Sequence, residues 1–67
     1  MTDINWRDPN TEEANQILTD SAINIIVELS IKRYILIRAY DTEIINNVRH
    51  YSNPGYKPVP ITKWAIV

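Results

Sequence analysis

Sixty-seven residues with no cysteine leave room for one domain and exclude both disulfides and a thiolate zinc site as staples. The chain has a single glycine, so a glycine-rich phosphate cradle is excluded on residue type. The net charge of −1 divides unevenly: residues 1–20 carry five acids against Arg7, for −4, and residues 21–67 carry six lysines and arginines against three acids, for +3.

Asp8-Pro9 suits an N-cap followed by a first helical residue, and Asn10-Thr11-Glu12-Glu13 is a capping-box-like alternative. Ala14, Ile17 and Leu18 then recur at i, i+3 and i+4, which predicts a short helix over about residues 9–19. Trp6 and Ile4, just ahead, are placed to pin the N-terminal segment to the body.

Ile23, Ile25, Val27, Leu29 and Ile31 alternate with mostly polar neighbours. A period of two over this length predicts a long strand with one buried face. A second strand follows, with Ile35, Ile37 and Ala39 on its odd face and the bulky, amphipathic Tyr34, Leu36, Arg38 and Tyr40 on its even face. Pairing Leu29 with Ile35, Val27 with Ile37 and Ile25 with Ala39 unites the odd residues on one face. That register requires a three- or five-residue loop around Ile31-Lys32-Arg33. The turn chemistry opposes it, since neither Gly nor Asn stands there to take a positive φ.

Asp41 as a cap, with Ile44, Ile45, Val48 and Tyr51 as an apolar stripe, predicts a second helix over residues 42–51. Ser52 to Tyr56 ends it, with Pro54-Gly55 central in a type II turn. Val59 to Val67 reads as a third strand. Pro58 and Pro60 donate no ladder hydrogen bond, which puts the start of that strand at a sheet edge.

The expected fold is therefore one small α+β domain over residues 1–67, with an acidic arm and helix at 1–20 ahead of a ββαβ core at 22–67. Its element order is αββαβ. A small three-stranded mixed sheet has the strand order 2-1-3, and the second helix packs on the odd face.

Little in the chain suggests catalysis. His50 is the one histidine and falls on the polar side of its predicted helix, so a metal would need carboxylates for its other ligands. No spacing resembles a zinc or calcium site. His50 with Ser52 makes half a nucleophilic pair at most, and Glu12-Glu13 diverge on a helix. No catalytic residue, metal or cofactor is expected. Met1 to Asn5 lacks the basic and apolar stretches of a leader. No run approaches the length of a membrane helix. A soluble, cytoplasmic protein with no membrane contact follows as the expectation.

The second sheet face is the better candidate. It carries Glu28 and Lys32 from the first strand and Tyr34, Leu36, Arg38 and Tyr40 from the second. The third strand adds either Thr62, Trp64 and Ile66 or Ile61, Lys63, Ala65 and Val67, depending on which side its even residues take. Tyr, Trp and Arg bury much area while keeping a polar end, as binding anchors do. Two covers compete for this face: from within, the first helix with Ala14, Ile17, Leu18 and Trp6, or from outside, a second copy in a homodimer. If neither takes it, the face binds a larger protein, with Tyr34, Arg38, Tyr40, Trp64, Lys32 and Glu28 as contacts and Asp3, Asp8 and Glu12 docking on a basic partner. The alternative is single-stranded nucleic acid, with Tyr34, Tyr40 or Trp64 as stacking platforms and Lys32, Arg33 and Arg38 on phosphates. Overall acidity counts against that. Residues Arg49 to Lys57 form a further possible contact loop, although an ordinary connection is the simpler reading.

The small size, the Ile- and Asn-rich, cysteine-free composition and the expected ββαβ core over about residues 22–67 resemble the small phage-encoded inhibitors of host enzymes, such as anti-CRISPR proteins and polymerase inhibitors. The resemblance implies a non-catalytic inhibitor or modulator and carries over no individual residue.

Overall fold

A computed structural model describes residues 4–19, 21–53, 55 and 57–67. Its elements are α1 (Glu12–Leu18), β1 (Asn24–Leu29), β2 (Tyr34–Arg38), a single 3-10 turn (Ala39–Asp41), β3 (Thr42–Ile45), β4 (Val48–Tyr51) and β5 (Val59–Ile66). The five strands form one antiparallel sheet in the order β2-β1-β5-β4-β3. This overturns the expected three-stranded 2-1-3 sheet, the αββαβ order and the second helix on a sheet face.

The segment expected as that helix is the β3–β4 hairpin, with Thr42 opposite Tyr51 and Ile45 opposite Val48. Asn46 and Asn47 between them have φ of 53° and 65°, the left-handed pair of a two-residue type I′ turn. The stripe Ile44, Ile45, Val48, Tyr51 fits a helical period, but Thr42, Ile44, Ile45 and Val48 are β-branched and stiff at χ1. Two consecutive asparagines are poor in a helix interior and suited to positive φ. Local chemistry outweighed the apolar spacing.

α1 is shorter than expected and starts at the alternative cap. The Thr11 hydroxyl accepts from the Ala14 N–H at 3.1 Å. Asp8 instead accepts from the Asn10 N–H at 2.8 Å, a local turn that feeds the helix.

β1 and β2 pair Ile25 with Ile37, Val27 with Ile35 and Glu28 with Tyr34. This register is two residues away from the expected one. A two-residue slip preserves which residues share a face, so Ile25, Val27, Leu29 and Ile37 still lie buried. The loop is a three-residue one, Ser30-Ile31-Lys32, set one position earlier than expected and closed by Lys32 N–H to Leu29 O at 2.9 Å and Leu29 N–H to Arg33 O at 2.8 Å. Lys32 itself takes the left-handed conformation, at φ 65°.

β5 lies inside the sheet, between β1 and β4, which corrects the expectation of an edge. Pro60 is tolerated because its backbone polar groups face β1 and not β4: its C=O accepts from the Ser30 N–H at 2.9 Å, so the absent N–H costs the β4 ladder no bond. That ladder spans two pairs, His50–Pro60 and Tyr51–Val59. Beyond it the N-terminal segment takes over: Arg7 and Trp64 exchange backbone bonds of 2.7 and 3.0 Å. Along the β1 side the register shifts between Lys63 and Ile61, leaving Thr62 as a bulge. The extra residue resets the alternation, so Ile61 and Trp64 both turn inward while Lys63 turns out.

Three residues, Ala39–Asp41, carry the chain from one sheet edge to the other. From Arg38 to Thr42 the backbone reaches at most about 14 Å. The edges of a flat five-stranded sheet would stand about 19 Å apart. The sheet must therefore curl, and it forms a half-barrel. α1 packs on the concave side, where Ala14 and Leu18 join Ile25, Val27, Leu29, Ile37, Ala39, Ile61 and Trp64 in the core.

Arg49 ties the helix to the second hairpin. Its side chain is 2 % exposed. It donates to Thr42 Oγ1 and Asn15 Oδ1 at 2.7 Å each and to Pro9 O at 3.4 Å, while its backbone N–H donates to Asn10 Oδ1. No carboxylate is among these partners, and burial pulls its pKa downward.

Candidate protein-recognition surface

The convex face of the hairpin comprises Asn24, Ile26 and Glu28 of β1 and Tyr34, Leu36 and Arg38 of β2, by register and alternation. α1 lies on the other side of the sheet and leaves this face open. Leu36 is 68 % exposed and Tyr34 53 %, and Arg38 is exposed beside them. Arg38 reaches back to the Ala22 carbonyl at 3.4 Å.

The bulge at Thr62 decides which β5 residues join this face. Lys63 is placed on it and Trp64 is not: Trp64 is 1 % exposed and donates from its ring N–H to Asp8 O at 3.3 Å. It belongs to the core and is no surface contact. Lys63 Nζ stands 4.6 Å from the Trp6 ring centre and 5.8 Å from that of Tyr34, and the two rings lie 5.7 Å apart. Trp6, a mere pin in the sequence reading, thus completes an aromatic–cation cluster at one margin of the face. A one-residue bulge leaves no mark in a hydropathy pattern, so the cluster was not readable in advance.

Glu28 is half-buried beside this cluster. Thr62 Oγ1 donates to its carboxylate at 2.6 Å. That bond, then a hydrogen bond from Tyr34 and the nearby charges of Lys63 and Lys32, outweigh desolvation and hold its pKa below the ordinary carboxylate value. Lys32 is exposed at the hairpin tip. Tyr40 is exposed but lies past the end of β2, beside a separate recess that it lines with Thr19, Ile44 and Arg49. Of the six expected contacts, Tyr34, Arg38 and Glu28 share one face, Lys32 borders it, and Tyr40 and Trp64 stand elsewhere. Asp8 and Glu12 are exposed, while Asp3 lies outside the described residues, as do Pro54 of the expected type II turn and Tyr56 of the Arg49–Lys57 loop.

β2 is also a sheet edge. Leu29–Arg33 and Ile23–Ala39 backbone bonds bracket the hairpin, so odd residues of β2 bond to β1. The N–H and C=O groups of Tyr34, Leu36 and Arg38 then point away from it. Beside this edge runs an open groove of about 520 Å³, floored by Leu29, Ile35, Ile37, Tyr51 and Val59. A second recess of about 400 Å³ continues it toward Asn24, Arg38 and Asp41, and the two share Leu36, Ile37 and Tyr51. Sequence reasoning missed the groove because it placed Tyr51 on a helix.

His50 Nδ1 lies 2.8 Å from Val48 O and, as donor, is held to its own strand. Among the described residues no three His, Cys, Asp or Glu side chains cluster as metal ligands. None of their helices is long and apolar enough to cross a membrane. No family model, curated protein or solved structure matches this chain.

Proposed function

We propose that this chain is a non-catalytic recognition module that binds a larger protein through β2, acting in the cytoplasm as its cysteine-free composition suits. The observation that carries this reading is the coincidence, on one strand, of an open sheet edge and an uncovered face bearing Tyr34, Leu36 and Arg38. An apolar side chain as exposed as Leu36, flanked by Tyr and Arg, has the composition of a binding hot spot. Unpaired strand edges are templates for another chain. An inhibitor or modulator would work through such a surface. Of the outline resemblance to phage inhibitors, the ββαβ core is replaced by the five-stranded sheet, and the small size and composition remain in its support. The single-stranded nucleic-acid reading loses Trp64 as a stacking platform, and Lys63 is engaged by Trp6 and Tyr34.

The test is affinity capture with mass spectrometry, comparing the parent chain with the Leu36→Ser, Arg38→Ala double variant. Both side chains are exposed, so the circular dichroism spectrum should stay unchanged while a specific protein partner disappears from the captured set. Undiminished capture by the variant counts against β2 as the contact. Salt-sensitive binding of oligo-dT or oligo-U would favour nucleic acid instead.

A further inference from the structure

The free edge of β2 borders a groove on the concave side of the half-barrel, facing the β4–β5 side. We propose that the seam between β2 and the β4–β5 side accepts an extended, acidic segment of a partner protein as an added strand. Its alternate apolar side chains fill the groove, and acidic residues at its leading end meet Arg33 and Lys57 at the mouth. This deepens the recognition reading above by naming what part of a partner is held.

Backbone chemistry comes first. Tyr34, Leu36 and Arg38 turn three sets of N–H and C=O groups outward along the seam, repeating every second residue at about 6.7 Å. An incoming extended chain matches that repeat and satisfies all three sets. Every second side chain of such a chain points to one face. On the concave side those side chains meet Leu29, Ile35, Ile37, Tyr51 and Val59, which selects apolar residues there.

Charge then selects among extended chains. Among the described residues the mouth of the groove is lined by Arg33 and Lys57 and no acid, and Arg38 stands further along. Among those residues Asp41 is the one acid lining either recess, at the far end. An acidic segment gains attraction at the mouth, whereas a basic one meets like charge.

The probe is a fluorescein-labelled heptapeptide with two Asp at one end followed by alternating Val and Thr, titrated with the full chain and read by fluorescence anisotropy. The expected result is saturable binding, about tenfold tighter than for the analogue with Lys in place of Asp and weakened by salt. N-methylation of one alternate set of peptide amides should abolish binding, and methylation of the other set should leave it intact. Hydrogen exchange of the Leu36 and Arg38 amides should slow on binding. The double variant Arg33→Glu, Lys57→Glu, at two exposed positions, should bind the lysine peptide in preference.

Equal binding of the two peptides overturns the proposal, as does indifference to both methylation patterns or protection confined to β3. So does the absence of binding up to about 1 mM, or sedimentation as a dimer that buries the β2 amides. If capture of a partner depends on Leu36 and Arg38 while the heptapeptide does not bind, the seam proposal falls and the recognition reading stands. If neither holds, both fall.

Discussion

Replacing Arg49 by Met should destabilise the fold by about 1–3 kcal/mol. The guanidinium makes two 2.7 Å hydrogen bonds, to Thr42 Oγ1 and Asn15 Oδ1, and a longer one to Pro9 O. Bonds from a charged donor contribute roughly 1.5–3 kcal/mol each, so the two short ones amount to about 3–6 kcal/mol. Against this stands the cost of burying a cation with no carboxylate bonded to it among the described residues, several kcal/mol that the Met variant recovers. The remainder is a large share of a total expected near 3–10 kcal/mol for a chain of this length. Urea unfolding followed by the fluorescence of buried Trp64 should show a midpoint lowered by about 1–2 M. A double-mutant cycle with Asn15→Ala should return a coupling of about 1 kcal/mol. A Met variant as stable as the parent, with no coupling, would refute the reasoning. α1 would then be held by Ala14 and Leu18 alone.

Lys32 occupies a left-handed position at φ 65°, so Lys32→Gly should stabilise by about 0.5–1 kcal/mol and raise the Tm by about 3–8 °C; a lower Tm in thermal unfolding would argue against that turn. Replacing both Asn46 and Asn47 by Ala separates hairpin from helix: a positive-φ turn should lose about 1–2 kcal/mol per position, whereas a helix would gain from alanine. For Glu28 the folded pKa is depressed, chiefly by the Thr62 hydroxyl. Its stabilisation is complete above the ordinary carboxylate value of about 4.3 and is lost as the pH falls through the lower folded value. Denaturation midpoints across the acid range should show that loss, and Thr62→Val should shrink it; an unchanged acid limb in the variant would remove Thr62 as the cause.

Where one signal dominated, the sequence was legible. The alternation from Ile23 to Ile31 marks β1, the Ala14, Ile17, Leu18 spacing marks α1, and Val59 to Val67 marks β5. Where two signals competed, the wrong one was followed. Residues 42–51 carry a helical stripe and a hairpin's turn chemistry at once, and Asn46-Asn47 was the better witness. The β1–β2 register slipped by two because hydrophobic parity cannot distinguish pairings that differ by two. Tyr34 and Arg38 lie on the exposed face expected of them, because that face follows from parity alone. Trp64 was misplaced among the alternatives because the Thr62 bulge flips parity halfway along β5. The seam groove depends on residues brought together from β1, β2, β4 and β5, and no local pattern encodes that meeting.

β5 is the final strand along the chain yet the third across the sheet. The two hairpins can each close over short loops, on a microsecond scale, but their ladders are joined into one sheet only through β5. Assembly of this small protein thus waits on a long-range event, and its speed should answer to changes at Ile61 or Trp64 more than to changes at either hairpin tip.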